Sequence, residues 1–200
     1  MGEGIVATMK LETDRLVIKS LSPADADNVL KVYTGSKDFF ELQTAEVPSS
    51  ELIRSDLAQA EKQGREFAGI FSGASNELIG VISFVPKDFQ GQADYAWISL
   101  MLIRRSDRRQ GFGREAYQAI EQFIFSDPSV RRIGHALLPQ FDPSLKFAEA
   151  LGFERAGGPF KNKRGFGLYS FVKRRPDRRR TPGEQIWQAW QAKIDGANET

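Results

Sequence analysis

Cysteine is absent from the 200 residues and histidine occurs once, at His135. The first absence removes disulfides, cysteine-ligated zinc, iron–sulfur clusters, thiol redox chemistry and a cysteine nucleophile. The second removes a three-histidine metal site and leaves a Ser-His-Asp hydrolase only one imidazole to work with. No metal is expected. Long apolar runs are missing too: the longest, Tyr95 to Ile103, is far short of the ~20 residues that cross a bilayer. No charged segment followed by an apolar one opens the chain. Met1-Gly2 resembles a myristoylation start, but Val6 stands where Ser or Thr is needed. The expectation is a cytoplasmic protein with no membrane attachment. Charge of one sign is scarce as well. The net charge is +2, yet Lys173 to Arg180 holds six basic residues and one acid, while Thr181 to Thr200 is net acidic and the rest is close to neutral. A protein that grips nucleic acid with its whole surface would be broadly basic. Nucleic-acid contact is therefore expected only through the basic tail, for which a solvated linker is the plainer reading.

What remains is a chain long enough for one domain and a substantial core. Arg15-Leu-Val-Ile-Lys-Ser has strand residues, and Ser22-Pro23-Ala-Asp25 supplies a cap, a proline and an acid for a first helix carrying Val29, Leu30 and Tyr33. A second helix is predicted over Glu51 to Gln63, with Leu52, Ile53, Leu57 and Ala60 on one face and Gly64 ending it. Phe67 to Phe71 and Leu78 to Val85 flank a turn-rich segment and read as a hairpin, with Pro86 closing the second strand. Tyr95 to Ile103 is apolar enough for a central strand buried on both faces. A helix follows over Gly113 to Phe125, a strand over Ile133 to Leu138, and a helix from Asp142-Pro143 to Leu151 with Gly152 at its stop. Phe153 to Phe160 and Phe166 to Val172 read as a closing antiparallel pair. Beyond a linker from Lys173 to Gly183, Glu184 to Ile194 reads as a short helix with Trp187 and Trp190 placed to dock on the body or on a second subunit. No internal repeats are present.

The chemistry-bearing stretch is Arg104-Arg105-Ser106-Asp107-Arg108-Arg109-Gln110-Gly111-Phe112-Gly113-Arg114, between the central strand and its helix. Glycines permit a backbone path that points several N–H groups the same way, and a helix N-terminus adds partial positive charge, so the loop suits a pyrophosphate. A Walker-type loop would end Gly-Lys-Ser or Gly-Lys-Thr, which this one does not. Gly111-x-Gly113-x-x-Ala116 matches the dinucleotide fingerprint in form, but Arg104 to Gln110 intervene between strand and first glycine, and the next strand ends Ala136-Leu137-Leu138 without the required acid.

A third reading fits. Arg108-Arg109-Gln110-Gly111-Phe112-Gly113 resembles the acyl-coenzyme A pyrophosphate loop of the GNAT superfamily of N-acetyltransferases. Ser144-Leu-Lys-Phe147-Ala-Glu-Ala-Leu151-Gly152-Phe153, about forty residues later, resembles that superfamily's second signature, a helix ending in Leu-Gly-Phe. With Arg15-Leu16 opening strand one, the resemblance is strongest to the ribosomal-protein N-terminal acetyltransferase branch and covers roughly residues 10–172, leaving 173–200 as an extension. It implies an α/β (α+β) fold with a mixed, mostly antiparallel central sheet of about six or seven strands flanked by about four helices. It implies acetyl transfer from acetyl-CoA directly to a primary amine, with a small molecule or a protein N-terminus as acceptor, by a monomer or homodimer.

By the same resemblance, the backbone of Met101, Leu102 and Ile103 would meet the pantetheine arm where two central strands part. Arg108, Arg109, Gln110, Gly111, Phe112, Gly113 and Arg114 would hold the pyrophosphate, and Ser144 and Phe147 would border the cofactor. Many relatives place a thiolate-protonating tyrosine where this chain has Ala148 and an asparagine where it has Phe141. Asp142 would substitute for the asparagine if the loop is one residue shorter, and Ser144 is the nearest hydroxyl, a candidate general acid whose plainer role is capping. His135 as a base competes with His135 as a packed, hydrogen-bonded strand residue. Asp94, Tyr95 and Tyr169 have structural readings, as do Phe39, Phe40, Phe84 and Phe89 among fifteen phenylalanines. The missing general acid keeps a second class open, a noncatalytic module that binds coenzyme A or presents the tail to RNA or another partner.

Overall fold

The computed structural model of the protein describes residues 9–42, 45–161, 165 and 167–176. Chain order is β1 (Lys10–Glu12), β2 (Leu16–Ser20), α1 (Ala26–Thr34), α2 (Lys37–Glu41), α3 (Ser50–Lys62), β3 (Glu66–Ser72), β4 (Leu78–Val85), β5 (Tyr95–Ile103), α4 (Phe112–Ser126), β6 (Arg132–Leu137), α5 (Asp142–Ala150), β7 (Glu154–Lys161) and β8 (Gly167–Arg174). Short 3-10 turns lead into α1 and follow β5. At the first of these, the Ser22 backbone N–H and hydroxyl both donate to Asp25 Oδ2, at 2.8 and 2.9 Å, which starts the helix where the sequence signals it.

All eight strands join one sheet in the order β1-β2-β3-β4-β5-β6-β8-β7. Every neighbouring pair is antiparallel except β5 and β6. The mixed, mostly antiparallel sheet is the one expected. The elements beyond six or seven strands and four helices include the three-residue β1 and the five-residue α2, too short to imprint a hydrophobic period on the sequence.

Two cores result. On one sheet face, Ile18, Ile70, Ile82, Phe84 and Ile98 pack under Tyr117, Ile120 and Ile124 of α4 and Ala148 of α5. On the other, Val81, Phe67 and Leu102 pack under Val29, Val32, Ile53 and Leu57 of α1 and α3. β4, with seven of its eight residues buried, is sandwiched between them. The β7 edge is different: its residues are mostly exposed, and its pairing with β8 shifts register twice, between Arg155 and Gly157 and between Gly157 and Phe160.

β8 runs two residues past the predicted Val172. Lys173 is held by Glu121 at 2.5 Å, and Arg174 pairs with Arg132, so the first basic residues of the expected linker are strand. The expected helix with Trp187 and Trp190, and Arg178 to Arg180, lie outside the described residues. No described helix is long and apolar enough to cross a membrane.

Gly80 fixes how closely β4 and β5 approach near the C-terminal end of β5. A Cβ there would lie 2.6 Å from the Leu102 carbonyl oxygen and 2.6 Å from Ile103 Cδ1. Gly80→Ala is expected to destabilise the fold by about 1–3 kcal/mol through overpacking, read as a lower urea midpoint at unchanged m-value.

Candidate active site

β5 and β6 pair through only four residue couples, from Tyr95 with Arg132 to Ile98 with His135. Beyond these, β5 continues to Ile103 against β4, and β6 continues to Leu137 against β8. The two strands part, and their facing edges carry backbone groups with no strand partner. Such groups need water or a ligand. This wedge lies where the expected pantetheine strand, Met101 to Ile103, borders it.

At the apex, β5 carries a bulge. Ser83 is opposite Leu100 and Phe84 opposite Ile98, so Ser99 is the extra residue. Although it sits inside the central strand, Ser99 is exposed. The bulge also changes the phase of the strand. Ala96 and Ile98 face α4, but beyond the bulge Met101 and Ile103 do so, while Leu100 and Leu102 turn to the α1 and α3 side. The apolar run that reads as a strand buried on both faces is therefore interrupted, by a bulge that composition does not show.

The glycine loop stands at the mouth of the wedge. Arg109 has φ 65° and Gly111 φ 87°, both left-handed, and Gly111 is followed directly by helical Phe112. A left-handed residue next to a right-handed one turns successive N–H groups into one concavity, a backbone nest for anions. The first turn of α4 has no side-chain cap, so its N–H groups add to the nest. Gly113 looks across at α5: a Cβ there would lie 3.4 Å from Phe147 Cζ. Ser144, three residues earlier on α5, shares that helical face.

Two brackets hold the loop. Glu115, in the first turn of α4, accepts from Thr13 Oγ1 at 2.6 Å, from the Arg15 backbone N–H at 2.9 Å and from Arg15 Nε at 2.7 Å. Arg15 Nη1 then donates to the Gln110 carbonyl at 2.9 Å, and its guanidinium lies 4.7 Å from the Phe112 ring centre. Burial acts to raise the Glu115 carboxyl, but the hydrogen bonds from Thr13 and Arg15 outweigh it and keep the group below its usual range.

On the other side, Arg108 donates to Asp38 Oδ2 at 2.5 Å and Oδ1 at 3.1 Å, and to the Ile103 carbonyl at 2.8 Å. The hydrogen bond from Arg108 lowers the Asp38 carboxyl. Buried Ser36 donates to the same Ile103 carbonyl at 3.3 Å, and Arg104 is shared between Glu77 and Asp107. Of the arginines expected to meet phosphate, Arg108 is thus committed to the α1–α2 corner, whereas Arg109 and Arg114 are exposed. Sequence reasoning noted Arg15 only as the opening of strand one, and Asp38 and Glu115 not at all. Their partners lie 70 to 100 residues away, beyond any local pattern.

The remaining candidates separate by position. Asp94 is paired with Arg132 at 3.1 Å, and Tyr95 is buried beneath the same arginine, both at the end of β5 remote from the loop. Phe84 packs on Phe123, Phe40 on Tyr33, and Phe39 on Phe40, while Phe89 stacks on Trp97. Tyr169 lies under the Arg155 guanidinium. Ala148 is buried and brings no hydroxyl.

His135, at the last position of β6 that pairs with β5, lies 4.6 Å from the Phe153 ring and 5.8 Å from that of Phe171. It is packed, as expected, but Nε2 is enclosed without a hydrogen-bond partner among the described residues. Burial pushes its pKa down from 6.5 to about 4, so it is neutral at pH 7. An unfolded chain takes up this proton below pH 6.5 while the folded protein does not, so stability present above that pH is lost as pH falls toward 4. The loss amounts to up to about 3 kcal/mol. In urea titrations across this window, His135→Phe is expected to flatten the fall relative to the natural protein.

Residues 15–154 match the family model of the acetyltransferase (GNAT) domain. No curated protein matches the sequence. Among solved structures, the chain is similar to an acetyltransferase from Thermus thermophilus at 27% identity, covering 84% of this chain and 100% of that one with a TM-score of 0.68. It is also similar to a GNAT-family acetyltransferase from Bacillus anthracis at 22% identity, covering 83% and 98% with a TM-score of 0.68. A third similar structure is the acetyl transferase from Salmonella typhimurium that modifies the N-terminal serine of 50S ribosomal subunit protein L7/L12, at 16% identity, 82% and 97% coverage and a TM-score of 0.69. The opened parallel pair, the nest before α4 and the domain match agree, and the chain belongs to the GNAT acetyltransferase family.

Proposed function

We propose that the protein moves the acetyl group of acetyl-CoA directly to a primary amine. The nest of Arg109 to Arg114 at the mouth of the β5/β6 wedge carries this reading. The pyrophosphate occupies the nest, with the exposed guanidinium groups of Arg109 and Arg114 adding charge attraction. The pantetheine arm follows the unpaired edge of Met101, Leu102 and Ile103, where amide groups replace the missing strand. The thioester reaches the apex, where the bulge at Ser99 frees backbone N–H groups to stabilise negative charge on the acetyl oxygen. Gln110, Gly111, Phe112 and Gly113 shape the cradle, Arg108 keeps it open through Asp38, and Phe147 closes it from α5.

The neutral amine nitrogen attacks the carbonyl carbon, its extra proton passing to water. The carbon–sulfur bond breaks, and the thiolate takes a proton. Ser144 is assigned as the relay, its hydroxyl donating to the sulfur while it takes back a proton from water, since it shares the α5 face of Phe147, whose ring borders Gly113. The acceptor amine sits on a small molecule or at a protein N-terminus; the N-terminal serine modified by the Salmonella protein favours the second.

Free-thiol detection with a panel of amines and peptides is expected to show turnover with at least one acceptor. Gly111→Glu and Gly113→Glu each place a carboxylate in the cradle, and the first also forces a left-handed residue at about 1–2 kcal/mol. Both are expected to abolish acetyl-CoA binding in calorimetry at about millimolar concentration; normal binding by both would show the loop assignment to be wrong. Ser144→Ala is expected to lower kcat about 100-fold with little change in KM for acetyl-CoA. An unchanged kcat would mean the thiolate leaves into water unaided.

A further inference from the structure

A concave site unrelated to the wedge lies at the opposite end of the sheet. β6 starts there at Arg132, β8 ends there at Arg174, and α4 runs 15 residues away from the glycine loop before it arrives, a span of about 22 Å. The cavity measures about 600 Å³ and is lined by Phe125, Ser126, Pro128, Arg131, Arg174, Arg175 and Pro176. Three of these seven residues are arginines.

Their states differ. Arg175 is fixed: Nε donates to the Val130 carbonyl at 2.8 Å, Nη2 donates to the Asp127 carbonyl, and the guanidinium lies 5.0 Å from the Phe125 ring centre. Arg131 and Arg174 are exposed, and no carboxylate among the described residues pairs with either. Of the nearby acids among the described residues, Asp127 is already engaged by Lys87 at 3.1 Å and by the Ser129 hydroxyl at 2.6 Å, and Asp94, which feels the Arg131 charge, is paired with Arg132 at 3.1 Å. In a protein whose body is otherwise close to neutral, this leaves, among the described residues, a hollow with two guanidinium groups in no ion pair. The sequence continues from Pro176 into Asp177-Arg178-Arg179-Arg180.

We infer that this hollow docks the phosphodiester backbone of a nucleic acid. The lining supplies both halves of a nucleotide's needs. Free guanidinium forks match phosphate oxygens in pairs, and the immobilised Arg175 plane beside Phe125 and two prolines is a flat surface on which a base can stack. An acidic peptide offers carboxylates to the forks but nothing to the flat surface, and the volume exceeds what one carboxylate fills. The site is separate from acetyl transfer and positions the enzyme on its partner rather than reacting with it.

The test is fluorescence anisotropy of the full chain with labelled single strands of RNA and DNA, about 16 residues long, and with poly-glutamate of equal length, at several salt concentrations. The natural protein is expected to bind a nucleic acid more tightly than poly-glutamate; preference for RNA or for DNA identifies which supplies the backbone. The double variant Arg131→Glu/Arg174→Glu is expected to bind at least about ten-fold more weakly. Its log–log salt slope is expected to be shallower by about 1.4, two phosphate contacts at ~0.7 each. Arg131→Lys/Arg174→Lys is expected to restore most of the affinity. Acetyl-CoA affinity by calorimetry, measured on the same samples, is expected to stay unchanged and so confirm that the variants fold. No nucleic-acid binding by the natural protein, undiminished binding by the folded glutamate variant, or tighter binding of poly-glutamate would each overturn the inference.

Discussion

Where β5 and β6 cease to exchange hydrogen bonds, after Ile98 and His135, each strand keeps a partner only on its outer side. Backbone polar groups without partners are costly in a closed interior, so the fold can sustain this gap only as a cleft open to water or to a ligand. Parallel pairing makes the opening possible. The chain must travel from the end of β5 back to the start of β6, and α4 is that return path, so the loop before α4 necessarily lies beside the gap. The cleft and the anion cradle are thus two results of one connection.

The cradle itself is held by charges rather than by packing. Arg15 joins Glu115 to the Gln110 carbonyl, Arg108 joins Asp38 to the Ile103 carbonyl, and Arg104 joins Glu77 to Asp107. Each arginine reaches a different neighbouring element, and together they fix a backbone containing two left-handed residues. Preorganisation of this kind places the cost of ordering in the folding of the protein rather than in the binding of its ligand. Arg108 has a second effect: because Asp38 belongs to α2, the loop and the α1–α2 corner are mechanically joined across the sheet edge.

Most of the fold was legible because it is written in local terms. Ser22-Pro23 with Asp25, Gly152 after Leu151, and the nearly apolar Tyr95 to Ile103 each mark an element within a few residues of where it lies. The left-handed turn before α4 was legible in outline too, since glycines between a strand and a helix mark a tight backbone path. The parts that were not legible are those made by distant residues or by count rather than type. Ser99 becomes a bulge because β4 supplies one residue fewer, which no reading of β5 alone detects. Arg108 has the residue type of a phosphate ligand but meets a carboxylate 70 positions earlier. Phe147 of α5 lies against Gly113, a contact between two helices that neither helix's own sequence shows.

The two rims of the sheet have a consequence of their own. β1 is three residues long, and β7 interrupts its ladder twice around Gly157 and Pro159. Among the described residues, a molecule colliding side-on finds no long straight row of donors and acceptors to copy, which disfavours edge-to-edge pairing. Short and interrupted rims of this kind let a wide, strongly hydrogen-bonded plane offer little for a fibre to template on.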